Sequence, residues 1–311
     1  MAEPKKYSGL LSLKYILPTG RLFGTILIVN IVYTLFVIYW DDHLFPTRKF
    51  VEASSVTYAT TAMGLLLVFR TNSAYERWWE ARKLWGQLVN DIRNLSIKVK
   101  EYIPANDPRR QQIALFLIQF PQVLRDHLRG HLKVKGVDND GAEIVSFGHV
   151  PMQVSDAIYR RLVEFQREGV MDGFTMMQMD IHAKAFMDIC GSCERILKSP
   201  IAGSYKFMIW AAITIYLSVL PWLLVPVFDV WALLVVLVSA YFVLGIEILA
   251  EEIERPFGLG ANDLPLDAIC LTIRDSVQSM LTVQEASNEV KITGAFRVEL
   301  MPTMSPDKHE H

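Results

Sequence analysis

The sequence predicts an all-α fold that crosses a membrane four times, and three observations carry that expectation. Hydrophobic residues make up 51% of 311 positions, and mean hydropathy is +0.25, above the soluble norm. Residues 22–40, 207–228 and 230–246 are uncharged runs of the length that a hydrocarbon core demands, about 20 apolar residues with a few either way. Outside these runs the apolar residues recur at helical spacing, and nothing reads as a strand-rich domain. Charged residues still make up 21% of the chain, so a sizeable part must sit in water.

In chain order, Lys5, Lys6, Lys14 and Arg21 precede the first apolar run in the manner of a signal peptide. No small-residue cleavage site follows and the run is too long for a signal core, so the segment reads as a retained membrane helix over residues 22–40. Tyr39 and Trp40 close it as interfacial aromatics. Residues 56–69 are apolar but number only 14, too few to face lipid alone, and they mix Thr57, Thr60, Thr61, Ala59, Ala62 and Gly64 with larger side chains. Small residues and hydroxyls suit a helix in the centre of a bundle or beside a water-filled cavity. With no proline before residue 104 and one isolated glycine, Gly86, the same helix is expected to continue to about residue 102.

Pro104, Asp107 and Pro108 break that helix, and residues 109–132 form a second amphipathic one. Residues 136–141 mark a loop by their Gly, Asp and Asn. Helical patterns resume at residues 154–169 and 175–197 and stop before Pro200. Residues 207–226 and 230–250 then read as a membrane hairpin turning near Pro226 and Asp229. Residues 264–285 are amphipathic, and residues 298–311 form a flexible polar tail. The whole is expected to be one domain, with a helical cytoplasmic region comprising residues 70–204 and 251–297. Lysine and arginine bias puts both termini in the cytoplasm, because Arg70, Arg77, Arg82, Lys83, Arg195, Lys198 and Lys206 flank the membrane runs while residues 41–52 show no such excess.

Composition also excludes functions. A net charge of −2 gives no reason to expect nucleic acid. Cys190, Cys193 and Cys270 cannot build a disulfide framework. The Cys190/Cys193 CxxC admits a redox or zinc half-site, yet it has no second CxxC and lies late in a helix, which favours plain packing. His127 and His131, at i and i+4, can share a face as metal ligands but show no third ligand in sequence; a solvated or partner-facing pair is favoured. His309 and His311 lie in the tail. There is no HExxH, phosphate-cradling glycine loop or GxSxG, so no catalytic residue, metal ligand or cofactor is assigned and an enzyme is not expected. Glu247, four residues before Glu251, reads either as a proton-coupling carboxylate or as an ion-paired residue at a helix end.

The run RTNSAYERWWEAR over residues 70–82 resembles the hallmark of the bestrophin family, an Arg-Trp-Trp (here Arg77, Trp78, Trp79) following an apolar pore helix. Pro256, Phe257 and Gly258 resemble the family's Pro-Phe-Gly motif after its last membrane helix. Residues 193–200 and 262–267 are similar to its bacterial branch, and the ordered set covers nearly the whole chain.

The resemblance implies a homopentameric channel in a bacterial inner membrane that passes inorganic ions, with anions such as chloride favoured. A cation-selective channel of the same fold and a secondary transporter are the alternatives. It further implies a hydrophobic neck on the second membrane helix, at Thr61, Leu65 and Phe69, whose i, i+4, i+8 spacing drifts by about 40° per step and so keeps one stripe. Thr61 departs from the usual apolar neck. Residues 259–262 lack the acidic run with which animal members clasp calcium, so calcium activation is not expected. Arg77, Trp78 and Trp79, and Pro256, Phe257 and Gly258, are expected to act structurally.

Overall fold

The computed structural model describes residues 21–43, 53–130, 134–137, 143–146, 149–281, 289–292 and 296–299. The basic N-terminal segment, most of the 41–52 loop, His131, His309 and His311 lie outside them. Where the sequence reading treats the chain as one domain, contacts divide it into two compact units, Met1–Trp78 with Pro200–Pro256 and Trp79–Ser199 with Phe257–His311.

The first unit holds α1 (Arg21–His43), the first half of α2 (Ala53–Tyr102), α6 (Gly203–Phe228) and α7 (Ala232–Ile253). A three-residue turn of 3-10 helix, Asp229–Trp231, joins the last two, and Asp229 opens it at φ 52. With ψ −132 this is a positive-φ conformation that a Cβ disfavours, and it reverses the chain between the two helices. Residues 23–42 and 203–253, the latter comprising α6 and α7, are long and apolar enough to cross a membrane by length and composition. Helices α1, α6 and α7 pack pairwise around Phe23, Val37, Ile213, Leu217, Leu220, Val236, Ala240 and Leu244. Their outer faces are equally apolar: Ile28, Val32 and Phe36 on α1, Ile215 on α6, and Leu234, Val238 and Phe242 on α7 are exposed. A helix that is apolar all round needs an apolar surrounding.

The second unit holds the rest of α2, α3 (Pro108–Leu128), α4 (Val150–Arg167), α5 (Gly173–Lys198) and α8 (Leu266–Leu281). Along α2 the fully buried residues Ala81, Trp85, Leu88, Ile92, Leu95 and Val99 alternate steps of four and three, one continuous apolar seam. Helix α3 begins where Asp107 Oδ1 accepts the Arg109 N–H at 2.9 Å and Pro108 fills the first helical position. It packs on α4 and α8, and Phe120 stacks on Phe186 of α5 with centroids 5.0 Å apart. Gly130 (φ 71) and Gly169 (φ 77) end α3 and α4 in the left-handed turn that glycine tolerates.

The all-α class holds for the body of the molecule, with one addition. Val134–Val137, Glu143–Ser146, Glu289–Ile292 and Phe296–Glu299 form β1 to β4, a small antiparallel sheet in the order β2-β1-β4-β3. The sequence places a loop over residues 136–141, helical structure over residues 251–297 and a tail from residue 298, and β2 and β3 correct it, because strands of four residues carry too few alternations to register against helical periodicity. Residues 138–141 of that loop and 300–311 of that tail are outside the described residues.

Candidate pore-lining segment and its buried anchor

The first half of α2 has two faces. Met63 and Leu67 are 6% and 5% exposed and point into the first unit, as do Arg70 and Ala74 further along. Leu65 and Phe69 are 56% and 64% exposed, and Thr61 is exposed as well. At 100° per residue the stripe Thr61–Leu65–Phe69 lies about 170° from the mean direction of the buried set. Two of the largest apolar side chains on the segment therefore point away from their own chain's core. The Thr61 hydroxyl donates to the Thr57 carbonyl at 2.8 Å, which satisfies its proton locally and leaves only oxygen lone pairs to its surroundings.

One residue beyond the stripe, Arg70 is completely buried. Its Nε donates to Glu247 Oε1 at 3.1 Å and its Nη2 to Glu254 Oε2 at 3.0 Å, both carboxylates being 1% exposed. The other Glu254 oxygen takes Lys206 Nζ at 2.9 Å, so two cations and two anions balance. Arg70 Nη1 and Glu247 Oε2 have no hydrogen-bond partner among the described residues. Such a quartet is costly to bury and costlier to break, because removing one member strands an opposite charge out of water. From sequence, Arg70 is a flanking cation and the first residue of the 70–82 run, with no partner assigned, and Glu247 has two roles open. The helix hairpin decides for the ion pair by carrying Glu247 and Glu254 to α2.

Arg77 extends this anchor, its Nε donating to the Glu254 carbonyl at 3.3 Å. Trp78 stacks against Tyr75 at 6.3 Å between centroids, and Trp79 is 46% exposed. Pro256 and Phe257 are buried. At Gly258 a Cβ would fall 2.5 Å from Asp263 Oδ2, and that oxygen also accepts the Gly260 N–H at 2.6 Å. The glycine is thus demanded by the carboxylate that folds the loop back.

The remaining chemical candidates separate. Cys190 and Cys193 are buried in α5, and burial pushes both thiols up to about 12, so neither is a ready nucleophile at neutral pH. Cys270 is buried in α8 with its thiol raised in the same way. His127 finds Glu194 Oε1 at 2.7 Å, a partner 67 positions away that sequence spacing could not suggest. On α5, Phe174, Met177 and Ile181 are 76%, 61% and 62% exposed at i, i+3, i+7, an apolar stripe left open among the described residues. From sequence, the resemblance points to the start of the 175–197 helix for a second, cytoplasmic constriction and names no residue.

A family model described as Bacterial/Fungal Bestrophin protein matches residues 16–279. The chain belongs to the bestrophin family. Among similar curated proteins, one from Synechocystis named a voltage-dependent anion channel-forming protein is 34% identical over 228 residues, 70% of this bestrophin and 74% of the relative. One of the same description from Escherichia coli K12 is 28% identical over 262 residues, 82% and 85% of the two chains. Among solved structures, a variant of a bacterial bestrophin homolog from Klebsiella pneumoniae superposes with a TM-score of 0.75 at 24% identity, covering 84% of this bestrophin and 99% of that chain. The bestrophin fold is therefore shared. These relatives bear channel names rather than enzyme names.

Proposed function

We propose that five copies of this chain surround one axis in a bilayer and pass inorganic anions such as chloride down their gradient, through a neck lined by Thr61, Leu65 and Phe69. The observation that carries the reading is the exposure of Leu65 and Phe69 on the face of α2 opposite Met63 and Leu67. In a five-fold ring this stripe becomes three stacked collars. A narrow apolar collar is a poor host for water and hence for ions, so it closes by dewetting and opens by a small widening. Thr61 keeps its oxygen lone pairs toward the axis, which makes its collar the wet one and leaves Leu65 and Phe69 as the effective gate. Choice of anions rests on the names of the relatives. The cell is bacterial, the membrane its inner one, and both termini are cytoplasmic.

The stripe Phe174–Met177–Ile181 supplies a second constriction in the same assembly, since exposed apolar side chains at the start of α5 gain cover only from neighbouring copies or from a narrow passage. Currents from purified protein in planar bilayers test the whole reading. Unitary steps that reverse near the chloride equilibrium potential in asymmetric NaCl are expected. Reversal near the sodium potential replaces anions with cations, and transport without unitary steps replaces the channel with a carrier.

A further inference from the structure

His127 is the last residue but one of α3, His149 caps the N-terminus of α4, and Glu194 lies on α5. Three elements of the second unit thus bring two imidazoles onto one carboxylate oxygen. His127 Nε2 is 2.7 Å and His149 Nε2 is 2.8 Å from Glu194 Oε1, and the three donor atoms all lie within 4.8 Å of one another. The rings are 4.8 Å apart at the centroids and tilted by 44°, too oblique to be a stacked pair. Side-chain exposures of 26%, 31% and 17% leave the cluster reachable from water yet sheltered by protein.

We propose that His127, His149 and Glu194 form a binding site for a divalent transition-metal ion of the zinc type. Two imidazole nitrogens and one carboxylate oxygen are the donor set of an open three-residue zinc centre, whose fourth position falls to water. Calcium and magnesium prefer oxygen donors throughout, so two nitrogens select against them. Cys190 Sγ, 4.0 Å from His149 Nε2, adds a soft atom at the edge and points the same way. Metal–donor bonds of about 2.0–2.1 Å in a tetrahedral array separate donors by about 3.3 Å. Each donor pair now held by a hydrogen bond therefore has to open by only about half an ångström. The second oxygen of Glu194 already takes Lys198 Nζ at 3.0 Å, which fixes the carboxylate and keeps Oε1 turned to the imidazoles.

Binding requires two protons to move. The ionised Glu194 oxygen only accepts, so His127 presents Nε2–H to it, and on binding that hydrogen passes to Nδ1 of His127 through solvent. His149 Nδ1 accepts the Met152 N–H at 3.1 Å, so neutral His149 carries its hydrogen on Nε2, the nitrogen the ion would occupy. On binding, that hydrogen passes to Nδ1 through solvent and the ring turns out of the cap. The Met152 N–H is not stranded, because it also lies 3.1 Å from the His149 carbonyl oxygen. His149 thus exchanges a helix cap for a metal bond, and the ion ties α3, the start of α4 and α5 together.

The test uses the full chain in detergent, stripped with a chelator and titrated with zinc alone against a chromophoric competitor. One high-affinity zinc per subunit is expected, with at least a tenfold loss of affinity in His127→Ala and in Glu194→Gln and none in His182→Ala, a histidine paired elsewhere with Asp91. The unaltered protein is also read by X-ray absorption at the zinc edge, which needs no variant to fold. Scattering from two imidazoles with first-shell distances near 2.0 Å is expected. An oxygen-only shell, or a titration unchanged by His127→Ala and Glu194→Gln, overturns the site and leaves the cluster a hydrogen-bonded trio.

Discussion

Gly258 and Gly191 show how differently two glycines can be held. A Cβ at position 258 would meet Asp263 Oδ2 at 2.5 Å and expel it from the Gly260 N–H, whereas a Cβ at position 191, within α5, meets nothing within 4 Å. Gly258→Ala is therefore expected to cost about 1–3 kcal/mol through overpacking. Gly191→Ala is expected to gain about 0.5–1 kcal/mol from helix propensity. Thermal unfolding of both variants checks the pair, and a neutral Gly258→Ala would show that the loop yields freely. Arg70 is the other residue with a large stake. Arg70→Met leaves Glu247 buried without a counter-charge, an expected loss of about 3–5 kcal/mol. Glu254 keeps Lys206, so adding Glu247→Gln to Arg70→Met should recover part of the loss. A strictly additive double variant would mean that the two side chains do not act on each other.

At the scale of the element, α2 sorts its substitutions by face. On the gate reading, Leu65→Ala and Phe69→Ala widen an apolar collar and are expected to raise conductance or open probability without lowering the melting temperature. Met63→Ala and Leu67→Ala instead empty the packed interior of the first unit, at about 2–5 kcal/mol each, with conductance per channel unchanged. Unaltered currents in a well-folded Leu65→Ala/Phe69→Ala double variant would remove the neck from this helix. The two faces were legible in part from sequence, since a 14-residue apolar stretch containing small residues cannot be a lipid-facing span. Which edge of it turns outward was not legible from periodicity, and only the family resemblance singled out the stripe of Thr61, Leu65 and Phe69.

For the molecule as a whole, assembly and acid stability are the measurable properties. Chemical cross-linking of the 35.5 kDa chain in detergent is expected to give a ladder that ends at five. An end at two or four would exclude the proposed axis. In the second unit Asp107 is held below the ordinary aspartate range, chiefly by the Arg109 side chain hydrogen-bonded to it. Asp267 is lowered too: burial opposes its charge, but hydrogen bonds and charge from Arg129 and Arg125 outweigh it. A carboxylate depressed in the folded state adds stability that is complete above its unfolded value near 3.8 and is lost as pH falls through the folded one. Melting temperature is therefore expected to be flat in pH down to about 4 and to drop below it. Asp267→Asn should lower the plateau and soften the drop, and an equally steep drop would locate the acid sensitivity elsewhere.

The sequence by itself determined the class of the fold, the three long apolar runs and the ordered motifs that mark the family, because these depend on composition and on spacing within a few turns of helix. Tertiary structure alone decided the buried quartet of Arg70, Glu247, Glu254 and Lys206 and the meeting of His127, His149 and Glu194. It also decided the sheet of four-residue strands. The physical reason is common to all three. Arg70 and Glu247 stand 177 positions apart, His127 and Glu194 stand 67 apart, and β1 pairs with β4 through Gly136 and Phe296, far apart in sequence. No local periodicity records a partner at such distances, and only the packing of helices into their places brings it near.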